Sequence, residues 1–253
     1  MKIVVIGGSG LIGSRLVATL NEDGHRAVSA ALDTGVNTIT GEGLHDVLEG
    51  VSVVVDVSNA PSFEDAAVLE FFETSTRNIL DAEAAAGVGH HVVLSIVGAD
   101  RLPDSGYYRA KLTQEKLIAG SSIPYSIVHV TQFFEFIERI AQASAAGDII
   151  RVAPVSIQPI AADDVARALA RVSVGAPLNG IVEFAGPEQF RLDDLIRRVL
   201  HERRDHREVV ADPQARYFGG QLGECTLGPS GDAELGAIRF EDWLRQSSSA
   251  LRR

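Results

Sequence analysis

The sequence predicts an α/β protein with a doubly wound parallel sheet and a small α+β lobe at its C-terminal end. Three observations predict this fold class: short, continuous β-branched runs, a glycine-rich turn after the first run, and amphipathic helical patterns between the runs. Parallel strands need crossover helices that cover both faces of the sheet, and strands buried on both sides have apolar sequences of this kind.

The first half of the chain alternates strands and helices. The first strand is predicted at residues 3–6, and the first helix begins at Leu11 and ends before Gly24. Further predicted strands are residues 27–31, 36–40, 51–57, 91–97 and 124–130, and further predicted helices are residues 64–86 and 107–119. This repeated βαβ pattern predicts right-handed crossovers in one parallel sheet.

The pattern is looser in the second half. Helices are predicted at residues 133–145, from Asp163 onward and at 192–201, with strands near 149–152, 157–160 and 181–185. We expect residues 1–132 to form the main domain and residues 133–253 to form a lobe packed on it, with some of its strands available to complete the main sheet.

Composition excludes several classes of function. The 253 residues include 34 acidic and 23 basic side chains, so the net charge of -11 repels nucleic acid. The single cysteine, Cys225, cannot form an internal disulfide, and no Cys/His spacing fits a zinc site, so we predict no metal. Neither a membrane span nor a signal peptide is expected, which predicts a cytoplasmic protein; the oligomeric state stays open.

The glycine-rich turn is the strongest binding motif. Gly7, Gly10 and Gly13 are spaced G-x-x-G-x-x-G between a buried strand and an amphipathic helix. Such a turn lets backbone N–H groups approach a pyrophosphate and lets helix and strand pack closely. The motif predicts a bound nicotinamide dinucleotide, and the loop residues expected to hold it are Gly7, Ser9, Gly10, Leu11, Ile12 and Gly13.

The end of the second strand decides which dinucleotide is favoured. If Ala31 faces the ribose, no carboxylate repels a 2′-phosphate and Arg15 can approach it, which favours NADP. If Asp33 reaches the ribose instead, NAD is preferred. We predict NADP as the preferred cofactor, with NAD possible.

Polar residues follow the strand predicted at 51–57. Because the carboxyl ends of parallel strands line the ligand crevice, Ser58, Asn59 and Ala60 are expected along the cofactor. The alternative is an ordinary turn capped by serine and asparagine.

Tyr107 and Lys111 form the candidate catalytic pair. They are four residues apart at the start of a helix and therefore share one face. A nearby ammonium lowers the pKa of a tyrosine, so Lys111 is expected to tune Tyr107 as an acid or base. Ser95 lies at the end of the preceding strand, where its hydroxyl can bond a carbonyl or the tyrosine. Tyr108 lacks such a partner and is assigned to packing or the pocket wall.

These motifs resemble the short-chain dehydrogenase/reductase superfamily. The resemblance rests on the Gly7–Gly13 loop, on Ser95, and on Tyr107 with Lys111; residues 127–134 and 158–166 are most similar to its atypical, NmrA-like branch. The resemblance implies NAD(P)H binding, with Tyr107 as proton donor, Lys111 on the nicotinamide ribose and Ser95 orienting substrate. It also implies that Thr131, Gln132 and Phe133 line the nicotinamide end.

Three functions are compatible with these residues. The first is an NAD(P)H-dependent oxidoreductase that reduces a small carbonyl compound or quinone, with Phe133, Phe134 and Phe136 either walling an apolar substrate pocket or packing in the core. The second is a redox sensor that binds the dinucleotide and a partner without turnover, although such members of the branch typically lack the tyrosine or lysine. The third, a sugar-nucleotide epimerase or dehydratase, ranks last because the C-terminal half is short.

Overall fold

A parallel β-sheet forms the centre of the computed structural model, which describes residues 1–250, with side chains through residue 247. In chain order, the strands are β1 Lys2–Ile6, β2 Arg26–Ala30, β3 Val53–Asp56, β4 His90–Ile96, β5 Tyr125–Val130, β6 Ala145–Ala146, β7 Ile149–Val152, β8 Ser156–Ile157, β9 Gly180–Ala185, β10 Phe190–Arg191, β11 Glu208–Ala211, β12 Arg216–Tyr217, β13 Gly220–Gln221 and β14 Glu234–Leu235. The main sheet has the order β14-β9-β5-β4-β3-β1-β2, and all of its neighbouring pairs are parallel. The predicted doubly wound parallel sheet is therefore confirmed.

Helices cover both faces of this sheet. They are α1 Leu11–Glu22, α2 Leu44–Leu48, α3 Asp65–Ala86, α4 Gly106–Ala119, α5 Ile137–Ala143, α6 Ala162–Val174, α7 Leu192–Arg203 and α8 Phe240–Ala250, with 3₁₀ turns at Leu32–Thr34 and Phe134–Phe136. Helices α1 and α6 pack against each other on one face, and α3 and α4 pack together on the other.

Strand β1 shows why the run of β-branched residues folds this way. Its side chains alternate between the two faces, so Ile3 and Val5 pack in the core beneath α1 and α6 while Val4 and Ile6 pack in the core beneath α2 and α3. All four are at most 1% exposed. A strand covered on both sides has no polar face, which is why the sequence lacks apolar–polar alternation here.

The second half of the chain contributes to two places. Strands β9 and β14 extend the main sheet beyond β5, and a separate core joins α5, α7 and α8 around Phe134, Phe240 and Trp243. The division at residue 132 stays a prediction, since strands from both sides of it share the main sheet.

The strand predicted at residues 36–40 is wrong, because this segment is a loop. Gly35 and Gly41 flank it with φ of +81° and +79°. The Asn37 side chain accepts hydrogen bonds from backbone N–H groups two and three residues later, which competes with strand pairing. The Asn78 amide of α3 donates to two carbonyls of the loop and ties it to the helix.

Candidate functional site

A cavity of about 870 Å³ opens along the carboxyl ends of the main strands. Most of the residues that the sequence singles out line it: Gly7, Ser9, Gly10, Leu11, Ile12, Ala31, Ser58, Asn59, Ser95, Tyr107, Lys111 and Thr131. They come from the ends of β1 to β5 and from the starts of α1 and α4, so the parallel topology brings distant segments of the sequence to one crevice.

The glycine loop leaves space and free donors for an anion. Gly7 has φ of +76°, and a Cβ there would lie 2.9 Å from the Ser58 Cα, so both the turn and the neighbouring strand require glycine. Helix α1 begins at Leu11 with no side-chain cap on Gly10 and no acidic residue in its first turn. Its first N–H groups and positive dipole end therefore remain available for a pyrophosphate.

Three residues expected at the cofactor do not line the cavity. Gly13 lies behind the loop, where a Cβ would overlap the Gly7 carbonyl oxygen, so it allows close packing of helix on strand. The Arg15 guanidinium is bound to Asp163 at 2.8 Å instead of facing the ribose end. Ala60 is buried in a small apolar cluster between α3 and α4.

The end of β2 presents both residues that bear on cofactor choice. Ala31 and Asp33 both line the cavity. Asp33 lies in the exposed 3₁₀ turn after the strand, and it is the only carboxylate among the described lining residues.

Tyr107 lies among aromatic rings at the other end of the cavity. Its ring stacks on Phe63 at a centroid distance of 5.5 Å and meets Phe72 edge-on at 5.9 Å. Burial raises the pKa of Tyr107 to about 12, and Arg139 is the cation that opposes this shift. The expectation that Lys111 lowers this pKa is therefore wrong, because the low-polarity surroundings dominate.

Lys111 is held in a buried polar network. Its ammonium donates to the Leu94 carbonyl at 2.9 Å and to the Gln114 side chain, whose amide nitrogen donates to Asp56 at 2.9 Å. Burial lowers the pKa of Lys111 to about 8, although the negative charges of Asp56 and Glu115 favour its protonated form. Two of the three N–H groups of the Lys111 ammonium are thus bonded to described residues. The third is left for the cavity.

Ser95 also bonds inward. Its hydroxyl donates to Glu115, which in turn contacts the His129 Nε2 at 2.9 Å, and His129 Nδ1 lies 3.8 Å from Glu183. Burial alone would raise the pKa of Glu115, but the hydrogen bond and charge of His129, with Ser95 and Lys111, hold it below its ordinary value. Glu115 is therefore ionised at neutral pH and holds the Ser95 proton, so the hydroxyl presents an acceptor to the cavity. This differs from the expected bond to a substrate carbonyl or the tyrosine.

Sequence reasoning missed several residues of the aromatic end. The cavity wall there includes Phe63, Phe71, Arg139, Tyr217 and Phe218. Of the three phenylalanines predicted after β5, Phe133 and Phe136 line the cavity, whereas Phe134 packs in the core against Phe240 and Trp243. Glu115 was also missed, although its spacing of four from Lys111 places it on the same face of α4.

The described residues contain neither a metal-binding cluster nor a membrane-spanning helix. Among residues 1–250, no group of three or more His, Cys, Asp or Glu side chains is placed to hold a metal ion. No helix in the same range has the length and apolar character needed to span a bilayer.

A glycine loop opening α1, polar strand ends along one crevice, and a Tyr-x-x-x-Lys helix beside them are the features of a nicotinamide-dinucleotide site on a Rossmann-like fold. The chain belongs to the family whose model is described as NAD(P)H-binding, which matches residues 7–173.

The curated relatives are distant. Photosystem II assembly factor Ycf39 of Synechocystis sp. (strain ATCC 27184 / PCC 6803 / Kazusa) is 25% identical over 149 residues, covering 53% of this chain and 46% of the relative. The same factor of Cyanophora paradoxa is 24% identical over the same shares of both chains. The chain spans about half the length of the curated relatives it matches.

Solved structures share the whole fold. MoeE5 in complex with UDP-glucose and NAD has a TM-score of 0.77 at 18% identity, covering 100% of this chain and 99% of the other. The UDP-glucose 4-epimerase of Thermus thermophilus with NAD has a TM-score of 0.75 at 17% identity, with coverage of 100% and 99%. A short-chain dehydrogenase/reductase superfamily protein from Agrobacterium tumefaciens with bound NAD has a TM-score of 0.73 at 18% identity, with coverage of 100% and 97%. At these identities the likeness establishes the fold.

Proposed function

We propose that the protein is an NAD(P)H-dependent reductase of a small carbonyl compound or quinone, with Tyr107 as the proton donor. The observation that carries this proposal is that Tyr107 lines the cavity together with Lys111, with a phenol that is protonated at neutral pH, as that of any tyrosine with an unlowered pKa is. Ser95 is a poorer donor, because a substrate carbonyl would have to compete with the ionised Glu115 for its proton.

The residues of the cavity fit a dinucleotide. Gly7, Gly10 and the first N–H groups of α1 would hold the pyrophosphate. The hydroxyls of Ser58 and Thr131, both cavity residues, are buried without a partner among the described residues and would bond the cofactor. When bound, the reduced nicotinamide supplies a hydride to the substrate carbon and is itself oxidised.

Lys111 would bind the cofactor and Tyr107 would donate the proton. With a pKa of about 8, Lys111 is mostly protonated at pH 7, and its remaining N–H would bond a ribose hydroxyl. Tyr107 would donate its proton to the substrate oxygen as that oxygen gains negative charge. The aromatic surroundings of Tyr107 are of low polarity, which strengthens that hydrogen bond.

The features of the ribose end favour NAD, whereas the sequence favoured NADP. Asp33 lines the cavity and would accept hydrogen bonds from ribose hydroxyls but repel a 2′-phosphate. Arg15 would have to leave Asp163 to bind that phosphate. The preference for NADP stays a prediction, and direct comparison of the two nucleotides tests it.

The test is nucleotide oxidation by the purified protein. NADH and NADPH consumption is followed by the absorbance of the reduced nicotinamide with a panel of aldehydes and quinones. Acceptor-dependent oxidation above the rate without protein supports the reductase. Tight nucleotide binding without oxidation by any acceptor contradicts it.

A second candidate function is a dinucleotide-binding regulatory or assembly protein. The similarity of 149 residues to a photosystem II assembly factor favours it. This candidate predicts nucleotide binding without turnover, together with retention of a protein partner. The presence of Tyr107 and Lys111 in the cavity favours the reductase.

A further inference from the structure

The aromatic end of the cavity is lined by a series of rings that contact one another with their planes inclined by about 30°. The planes of Phe63 and Tyr107 lie within 28°, those of Phe63 and Phe218 within 29°, and those of Phe136 and Phe218 within 31°. Centroid distances along this series run from 5.5 to 6.3 Å. Such a wall offers flat apolar surface to a flat ligand, and ring contacts of this kind add to the gain from area burial.

Phe218 is held in this wall by an unusual backbone. It lies in the tight turn between β12 and β13 with φ of +43°, which a phenylalanine rarely adopts. The ring also packs edge-on against Tyr217 at 4.8 Å. A strained conformation that presents a half-buried ring to a cavity is typical of a binding element.

A cation with no ion-pair partner among the described side chains lies at the same place. The Arg139 guanidinium lies 4.5 Å from the Phe63 ring centroid and 5.6 Å from that of Phe136. The nearby carboxylates of its own segment are bound elsewhere, since Glu135 accepts the Trp243 indole N–H at 3.0 Å and Glu138 pairs with Arg203 at 2.6 Å.

The charged side chains that line this end are cations, although the whole molecule carries a net negative charge. Asp33, the only carboxylate among the described lining residues, lies in the turn after β2 and not in this aromatic wall. Lys111 and Arg139 are thus the charged groups of the lining near Tyr107 in the described structure. A guanidinium has a fork of donors that fits a carboxylate in two bonds.

We propose, building on the reductase function above, that this end binds a planar aromatic aldehyde or ketone that bears a carboxylate. The aromatic ring of the ligand lies against the exposed side of this aromatic wall at Phe218, and the carboxylate binds Arg139. A nucleotide sugar fits less well, because its hydroxyls would meet rings and its diphosphate would have few cations.

Binding of an unreactive analogue tests the ligand class without turnover. Isothermal titration calorimetry compares 4-methylbenzoate with 4-methylbenzamide, which has the same shape and no charge, on the protein with saturating NAD⁺. We expect the benzoate to bind about tenfold more tightly, as for a hydrogen-bonded charge. Arg139→Gln removes this difference and Arg139→Lys keeps part of it. Equal affinity for the two compounds, or tighter binding of UDP-glucose than of the benzoate, overturns the proposal.

Two control variants test whether the preference for benzoate depends on Arg139 and on a flat ring contact. Arg77→Gln removes an exposed arginine of α3 outside the cavity and should leave both affinities unchanged. Phe218→Asn removes the ring but suits the left-handed backbone, and should weaken the benzoate about fivefold while leaving 4-methylcyclohexanecarboxylate, which is not flat, nearly unchanged. NADH affinity should not change in Arg139→Gln; a loss there without a loss for benzoate assigns Arg139 to the cofactor and overturns the proposal.

The assays also separate this proposal from the reductase function. If 4-methylbenzoate binds as expected but 4-carboxybenzaldehyde is not reduced, the ligand class stands and the reductase fails. If neutral aldehydes are reduced and the benzoate shows no preference, the reductase stands and the ligand class fails.

Discussion

Replacing Gly13 with alanine should weaken both the fold and cofactor binding. A Cβ at Gly13 would overlap the Gly7 carbonyl oxygen and lie 2.6 Å from the Gly8 Cα. Carbon atoms pack best at about 3.5–4.0 Å, so the start of α1 must move by roughly 1 Å. Overpacking of this kind costs about 1–3 kcal/mol of unfolding free energy. Because the same movement displaces the N–H groups that face the pyrophosphate, NADH affinity should fall about tenfold or more.

Urea unfolding followed by circular dichroism measures the first effect, and calorimetric titration with NADH measures the second. Gly24→Ala is the matched control, since Gly24 has φ of +82° but nothing within 4 Å of its would-be Cβ. It should lose about 1 kcal/mol of stability from backbone strain without losing NADH affinity. Wild-type NADH affinity in Gly13→Ala would refute the reasoning, as would equal loss of affinity in both variants.

Three further predictions follow from the cavity. Because Lys111 has a pKa of about 8 in the fold against 10.5 ordinarily, the folded protein binds fewer protons between these values. The unfolding free energy of the wild type should therefore rise with pH between these two values, on the order of 2 kcal/mol more than that of Lys111→Met. Urea unfolding at a series of pH values measures this difference. Ser95→Ala should lower kcat less than Tyr107→Phe does, because the Ser95 proton is committed to Glu115; equal losses in steady-state assays would contradict this. Asp33→Asn should raise the ratio of NADPH affinity to NADH affinity about fivefold. An unchanged ratio in calorimetry would show that Asp33 does not contact the ribose.

The parallel sheet could be predicted because its signals are local. A run such as Ile3–Ile6 can bury its apolar side chains only if helices cover both faces of the sheet. The glycines after it permit the turn into α1. The segment at residues 36–40 is also rich in β-branched residues, but its asparagine bonds the local backbone, and flanking glycines take positive φ. Composition alone could not separate these cases.

The part of the cavity beside the glycine loop was more predictable than its aromatic end. Strand-end positions follow from topology, so Ser58 could be placed by its position in the chain, whereas Thr131 was expected from the family resemblance. The partners of Ser95, Lys111 and Arg139 depend on side chains brought from far apart in sequence. The pKa of Tyr107 likewise depends on rings such as Phe63, 44 residues away, and no local spacing reveals them.

The most direct test of the account compares Tyr107→Phe with Tyr108→Phe. Both tyrosines line the cavity, but Tyr108 bonds Gln132 at 3.2 Å and serves as a buried wall residue. With the best acceptor from the panel, Tyr107→Phe should lower kcat about a hundredfold or more while NADH affinity stays within about twofold. Tyr108→Phe should keep most of its turnover. Full turnover in Tyr107→Phe would contradict the account, because the proton would then come from another group.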